Sequence, residues 1–107
     1  MTTMYHVAAS WDGGDLLSLD EQINDGRITE EAAEASWKWD HAFATAEDRQ
    51  YVSLWATLTA AQAWQAERGG QVLAVEIDTD SAAYITRVGE GHPAVLGRIS
   101  ADCVRGL

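Results

Sequence analysis

The sequence predicts an α+β fold in a single compact domain over residues 1–107, with the helices concentrated in the N-terminal half. A length of 107 residues suits one hydrophobic core and leaves no room for two. Hydrophobic residues make up 47% of the chain, which excludes a disordered segment. The predicted elements run strand, helix, helix, strand, helix and three strands, an order typical of the α+β class.

In the first half, one strand precedes two helices. Residues 4–8 (MYHVA) form a short run of strand-forming side chains before a loop that contains glycine. Residues 16–23 (LLSLDEQI) place apolar side chains at helical spacing and predict a short helix. Thr29 is the predicted N-cap of the second helix, because two glutamates follow it directly and suit the positive end of the helix dipole.

In the second half, a capped helix lies between strands. Residues 51–55 (YVSLW) alternate between two faces and predict a strand. The spacing of Thr59 and Gln62 predicts a capping box for a helix over residues 60–68, which a Gly-Gly pair ends. A bulge or bend is predicted at Gly97, within the last strand. The three C-terminal strands are predicted at residues 72–77, 83–88 and 94–99.

The net charge of −10 lies almost entirely in the first half. Between Asp12 and Asp48 there are eleven acidic residues against two basic ones, whereas the remaining C-terminal residues have six acids against five arginines. Such acidity excludes nucleic acid, including RNA, and anionic membranes as expected partners. The acidic half is either a solvated helical face or a surface for a basic protein partner. Arg98 either pairs with these acids or binds a phosphate.

The remaining composition predicts a cytoplasmic protein without a metal. No apolar run approaches the roughly 20 residues of a membrane-spanning helix, and the N-terminus lacks a secretory pattern. A single cysteine, Cys103, allows neither an internal disulfide nor a cysteine-based zinc site. His6, His41 and His92 are too scattered along the sequence to indicate metal ligands.

Three segments together resemble the ADP-ribosyltransferase-like fold. They are YHVA at residues 5–8, YVSLWATLTAAQAWQAERGGQVLAVEID at residues 51–78 and AVLGRISADCVRGL at residues 94–107. Their order is similar to that of small bacterial members and of the RNA 2′-phosphotransferase branch. The resemblance implies a split pair of small sheets with a cleft that takes NAD or an ADP-ribosylated group. His6 and Ser53 match residues that the family places in this cleft.

The catalytic part of the resemblance is less complete. The family's Glu would fall near His92 and Pro93, where Glu90 is the nearest carboxylate. Glu90 and His92 are therefore weak candidates for acid-base catalysis from the predicted loop of residues 89–93, and a solvated loop is the alternative. The arginines of the phosphotransferase branch have no counterpart in the first half, so enzymatic activity stays open.

Aromatic residues complete the predicted ligand site. Tyr51 and Trp55 share a predicted strand face with Ser53 and offer flat surfaces for stacking a base, although two such side chains are also typical of a core. Trp11 lies in the loop after the first strand and is a candidate to cover the cleft. For His6, the structural alternative is a half-buried ring bonded to a backbone carbonyl.

Two functions follow from these observations. The first is a small ADP-ribosyltransferase-like protein with a cleft for NAD or a related nucleotide. The second is a non-catalytic interaction module that binds a basic protein partner through the acidic half and surface members of its five tryptophans.

Overall fold

Three α-helices and eight short strands make up the described part of the chain, residues 1–39, 49–88 and 92–107 of the computed structural model. Side chains are described at all these positions except 36–39 and 87–88. The predicted α+β class is confirmed. The helices have 6, 10 and 11 residues, and none within the described ranges is long and apolar enough to cross a membrane.

The strands form three small antiparallel sheets. In chain order the elements are β1 (Thr2–Ala8), β2 (Leu16–Leu17), α1 (Leu19–Asn24), α2 (Glu30–Trp39), β3 (Tyr51–Ser53), α3 (Leu58–Arg68), β4 (Gln71–Ile77), β5 (Tyr84–Val88), β6 (His92–Leu96), β7 (Arg98–Ile99), a 3-10 helix (Ala101–Cys103) and β8 (Val104–Gly106). The sheet orders are β1-β4-β8, β2-β7 and β3-β6-β5. The described chain thus has three small separate sheets, whereas the resemblance implied a split pair.

A short backbone contact joins the first and third sheets. The N–H of Tyr5 in β1 donates to the carbonyl of Trp55 at 2.9 Å, and the N–H of Trp55 donates back at 2.6 Å. Trp55 lies just beyond β3, so this pairing brings the end of β3 beside the middle of β1. The side chains of both strands can therefore meet at one place.

Strand β4 is buried on both faces. One face contributes Leu73 and Val75 to the main core, which is a cluster of Met4, Leu16, Val52, Leu54, Leu73, Val75, Ile77, Ile99 and Val104. On the other face, Val72 packs with Val7 and Ala61 beneath α3. Because side chains alternate along a strand, burial on both faces requires cover on both sides, and α3 supplies the second cover.

The predicted helix over residues 16–23 is wrong at its beginning. Leu16 and Leu17 form β2, which pairs with Ile99 and Arg98 of β7, and α1 begins only at Leu19. The hydroxyl of Ser18 accepts the N–H of Glu21 and is the N-cap. Both leucines are buried in this short strand. The helical spacing of Leu16 with later apolar residues did not indicate that the segment pairs as a strand.

The last predicted strand is divided at Gly97, as the predicted bend required. Gly97 has a φ of +80°, a conformation that favours glycine, and it separates β6 from β7. β6 pairs with β3 and β5, whereas β7 pairs with β2. His92 and Pro93 belong to β6, so their predicted loop conformation is wrong.

The predicted capping box of α3 is also wrong. The helix begins at Leu58, and the hydroxyl of Thr57 accepts the N–H of Ala60 at 3.2 Å. Thr59 therefore lies inside the first turn. Thr57 has the extended backbone that an N-cap requires, with φ −126° and ψ 149°.

These two threonines provide a direct test of where α3 begins. Thr57→Ala is expected to lower the free energy of unfolding by about 1 kcal/mol, because it leaves the N–H of Ala60 without its acceptor. Thr59→Ala is expected to change it by less than about 0.5 kcal/mol. Urea unfolding followed by circular dichroism measures both, and a larger loss for Thr59→Ala would contradict the cap at Thr57.

Candidate functional site

A pocket of about 360 Å³ opens where β1, β3 and the beginning of α1 meet. Its volume lies at the lower end of the range for small-molecule sites, about 300–1,000 Å³. Four of the five predicted ligand-binding residues line it: His6, Trp11, Tyr51 and Ser53. These residues come from distant parts of the sequence and are brought together by the pairing of Tyr5 with Trp55.

His6 faces the pocket because of the alternation along β1. Met4 and Ala8 lie two residues to either side and pack in or against the main core. Tyr5 and Val7 point the opposite way, towards α3. His6 lies between Met4 and Ala8 on the same face of β1 and also lines the pocket. Its side chain is therefore at the border between the main core and the pocket.

The imidazole of His6 is held by β3. Its Nδ1 lies 2.7 Å from the carbonyl oxygen of Ser53. Because a carbonyl oxygen only accepts, the imidazole donates its Nδ1–H in this bond. The bond matches the structural alternative for His6, a half-buried ring bonded to a backbone carbonyl, yet the same ring also lines the pocket.

Trp11 is fixed by the loop that carries it. Its indole Nε1–H donates to the carbonyl of Gly14 at 2.8 Å, and the ring packs against the main core. The N–H of Gly14 donates to Oδ1 of Asp12 at 2.9 Å. The turn between them passes through Gly13, which has a φ of +92°. Hydrogen bonds within the loop thus hold in place the side of the pocket that the loop forms.

Asp15 ties the far end of this loop to the C-terminal region. Its Oδ1 accepts the N–H of Ala101 at 2.8 Å, at the beginning of the 3-10 helix. Its Oδ2 lies 4.0 Å from the guanidinium of Arg98. Asp15 lines the pocket, so its carboxylate both holds the loop and contributes charge to the site.

Two roles were predicted for Arg98, pairing with the acidic half or binding a phosphate. The structure shows the pairing with acidic residues. Arg98 donates to Glu21 at 2.8 Å and lies 3.8 Å from Asp25, so it links β7 to the region of α1. The hydrogen bond and negative charge of Glu21, followed by the charges of Asp25 and Asp15, raise the pKa of Arg98 above its ordinary value.

Arg49 pairs with the acidic half in the same way, 3.4 Å from Asp20 and 3.1 Å from Glu30. Two arginines of the second half thus offset part of the acidic charge. Glu30 and Glu31 are exposed at the beginning of α2. The basic protein partner expected for this acidic surface stays a prediction.

Trp55 lies apart from the other predicted ligand residues. Beyond Ser53 the chain leaves the regular strand, and Trp55 packs against the small cluster beneath α3. The centroids of its indole ring and that of Trp64 are 5.5 Å apart. The ring of His92 meets that of Trp55 edge-on at 4.4 Å. His92 thus belongs to this aromatic contact and is not among the described residues that line the pocket. Glu90 lies outside the described residues.

The sequence analysis missed several polar residues of the pocket. Asp12, Asp15, Gln22 and Arg27 all line it. The signal for the first two was present in WDGGD, where two carboxylates flank a Gly-Gly turn beside Trp11. Among the residues that the structure describes, no group of three or more His, Cys, Asp or Glu side chains could hold a metal ion. In comparisons with known proteins, the chain matches no family model, no curated protein and no solved structure.

The anchoring role of Asp15 can be separated from its charge by two substitutions. Asp15→Ala is expected to lower the free energy of unfolding by about 1–3 kcal/mol, because the part-buried N–H of Ala101 loses its acceptor. Asp15→Asn keeps an oxygen at that position and should cost less than about 1 kcal/mol. Equal losses for the two variants in urea unfolding would contradict the hydrogen bond as the anchor.

Proposed function

We propose that the protein binds NAD or a related nucleotide in this pocket, with His6, Trp11, Tyr51 and Ser53 as the contacting residues. The observation that supports the proposal is the convergence of these four side chains on one pocket.

The four side chains supply complementary chemistry. Trp11 and Tyr51 offer aromatic faces on which a planar nitrogen heterocycle can stack. Imidazole and hydroxyl groups exchange hydrogen bonds with the hydroxyls of a ribose or with an amide, and His6 and Ser53 bring these two groups to the lining of the pocket. A pocket with aromatic surface and a few oriented polar groups is typical of small-molecule sites.

The size of the pocket limits how much of a dinucleotide it can enclose. A volume of about 360 Å³ is at the small end for ligand sites, and the pocket is open to solvent on one side. We therefore assign one nucleoside unit to the pocket and leave the rest of the ligand outside it.

The proposal is for binding and assigns no residue to transfer. ADP-ribosyl transfer needs a carboxylate beside the ribose carbon that becomes positively charged. The carboxylates described at the pocket, Asp12 and Asp15, are each engaged in a hydrogen bond to a backbone N–H. Neither is therefore assigned that role.

Isothermal titration of the protein with NAD tests the proposal. His6→Ala is expected to weaken binding by about ten-fold or more, because the ligand loses a hydrogen-bond partner within the pocket. His92→Ala is the matched control, since it removes the same type of side chain at a site next to Trp55. Its affinity for NAD should be unchanged.

Circular dichroism of both variants establishes that the fold is retained. Absence of heat with the unaltered protein up to millimolar NAD, together with no thermal stabilisation by NAD, would contradict the proposed function. A loss of affinity in His92→Ala equal to that in His6→Ala would remove the pocket as the location of binding.

A further inference from the structure

The charged side chains on the wall of the pocket are mainly negative. Asp12 and Asp15 lie on the loop that carries Trp11. Among the described lining residues, Arg27 is the one permanent cation, and its side chain is 51% exposed. Its Nε also lies 4.0 Å from a carboxylate oxygen of Asp25, so its charge is partly offset.

Among the described residues of this wall, a phosphate group would find few donors suited to it. Phosphate sites are typically built from arginine, lysine or free backbone N–H groups. At the beginning of α1, the N–H of Glu21 is already bonded to Ser18, and the first turn carries the charges of Asp20 and Glu21. Arg98 pairs with Glu21 at 2.8 Å and with Asp25 at 3.8 Å, and it lies farther, at 4.0 Å, from Asp15, so it offsets the charge of Asp15 only in part.

We propose that this pocket selects a nucleoside, uncharged or cationic, over its phosphorylated counterpart, and that Asp12 and Asp15 set this preference. The inference rests on the proposed function and narrows its ligand class. A phosphate on the bound ribose would add negative charge beside a wall that already carries Asp12 and Asp15, whereas a positively charged heterocycle would be attracted by these carboxylates. In a dinucleotide the phosphates would have to leave the pocket towards solvent.

The size of the preference follows from electrostatics near a protein surface. A phosphomonoester carries nearly two negative charges at neutral pH. Repulsion from a carboxylate a few ångströms away corresponds to about a three- to ten-fold loss of affinity in a solvated site. Because the pocket is open, the effect should be screened by salt, with a Debye length of about 8 Å at physiological ionic strength.

The test uses pairs of probes that differ by one phosphate. Nicotinamide riboside is compared with nicotinamide mononucleotide, and adenosine with AMP, by isothermal titration of the full chain. In each pair the nucleoside is expected to bind about three- to ten-fold more tightly. The ratio should be larger at about 20 mM NaCl than at about 300 mM NaCl.

Two conservative variants test whether the charges of Asp12 and Asp15 cause the preference for the nucleoside. Asp12→Asn and Asp15→Asn remove a charge but keep an oxygen for the N–H groups of Gly14 and Ala101. Each is expected to reduce the nucleoside-to-nucleotide ratio by about two- to three-fold. The matched control is Asp78→Asn, because Asp78 is exposed, lies away from the pocket and accepts the N–H of Asp80 at 3.0 Å in the same kind of turn.

The outcomes separate the inference from the proposed function. If NAD and the nucleosides bind but the phosphorylated probes bind equally well or better, the inference is wrong and nucleotide binding stands. If Asp12→Asn and Asp15→Asn change the ratio no more than Asp78→Asn, the preference does not come from these carboxylates and the inference is also wrong. If none of the probes and no NAD binds, the proposed function fails and the inference fails with it.

Discussion

The pairing of Tyr5 with Trp55 is the contact on which the arrangement of the site depends. Two backbone hydrogen bonds, at 2.9 and 2.6 Å, hold the end of β3 against β1. Backbone groups need such partners when they leave water, so the pairing also satisfies polar atoms between two sheets. It places Ser53 where its carbonyl can accept from His6 and leaves room for a pocket beside that bond.

The two faces of β1 have different surroundings. The face that carries His6 borders the main core and the pocket, while the face that carries Tyr5 and Val7 packs beneath α3. Trp55 contributes to the second face through its contacts with Trp64 and Tyr5. The same strand thus supports a polar, ligand-sized opening on one side and an aromatic cluster on the other.

The α+β class and a bend or bulge at Gly97 could be predicted from the sequence, because local pattern suffices for them. Four side chains of the pocket were also predicted: His6 and Ser53 from the resemblance, and Trp11 and Tyr51 from their aromatic chemistry. The beginnings of α1 and α3 could not be predicted. Leu16 has a helical pattern with later residues, but its pairing with Ile99 is a contact across most of the chain. Trp55 failed to join the pocket because alternation holds only while a strand continues, and β3 ends at Ser53. Long-range pairing, which local spacing does not reveal, decided the beginning of α1 and the position of Trp55.

The hydrogen bonds of the loop that carries Trp11 have a consequence for how a molecule would enter. The loop is tied by its indole, by Asp12 and, at its far end, by Asp15. An arriving molecule would not have to order this segment, so association would carry little cost in chain entropy. Encounter would then resemble docking onto a rigid surface, with residence time set by the contacts made and not by reopening of the loop.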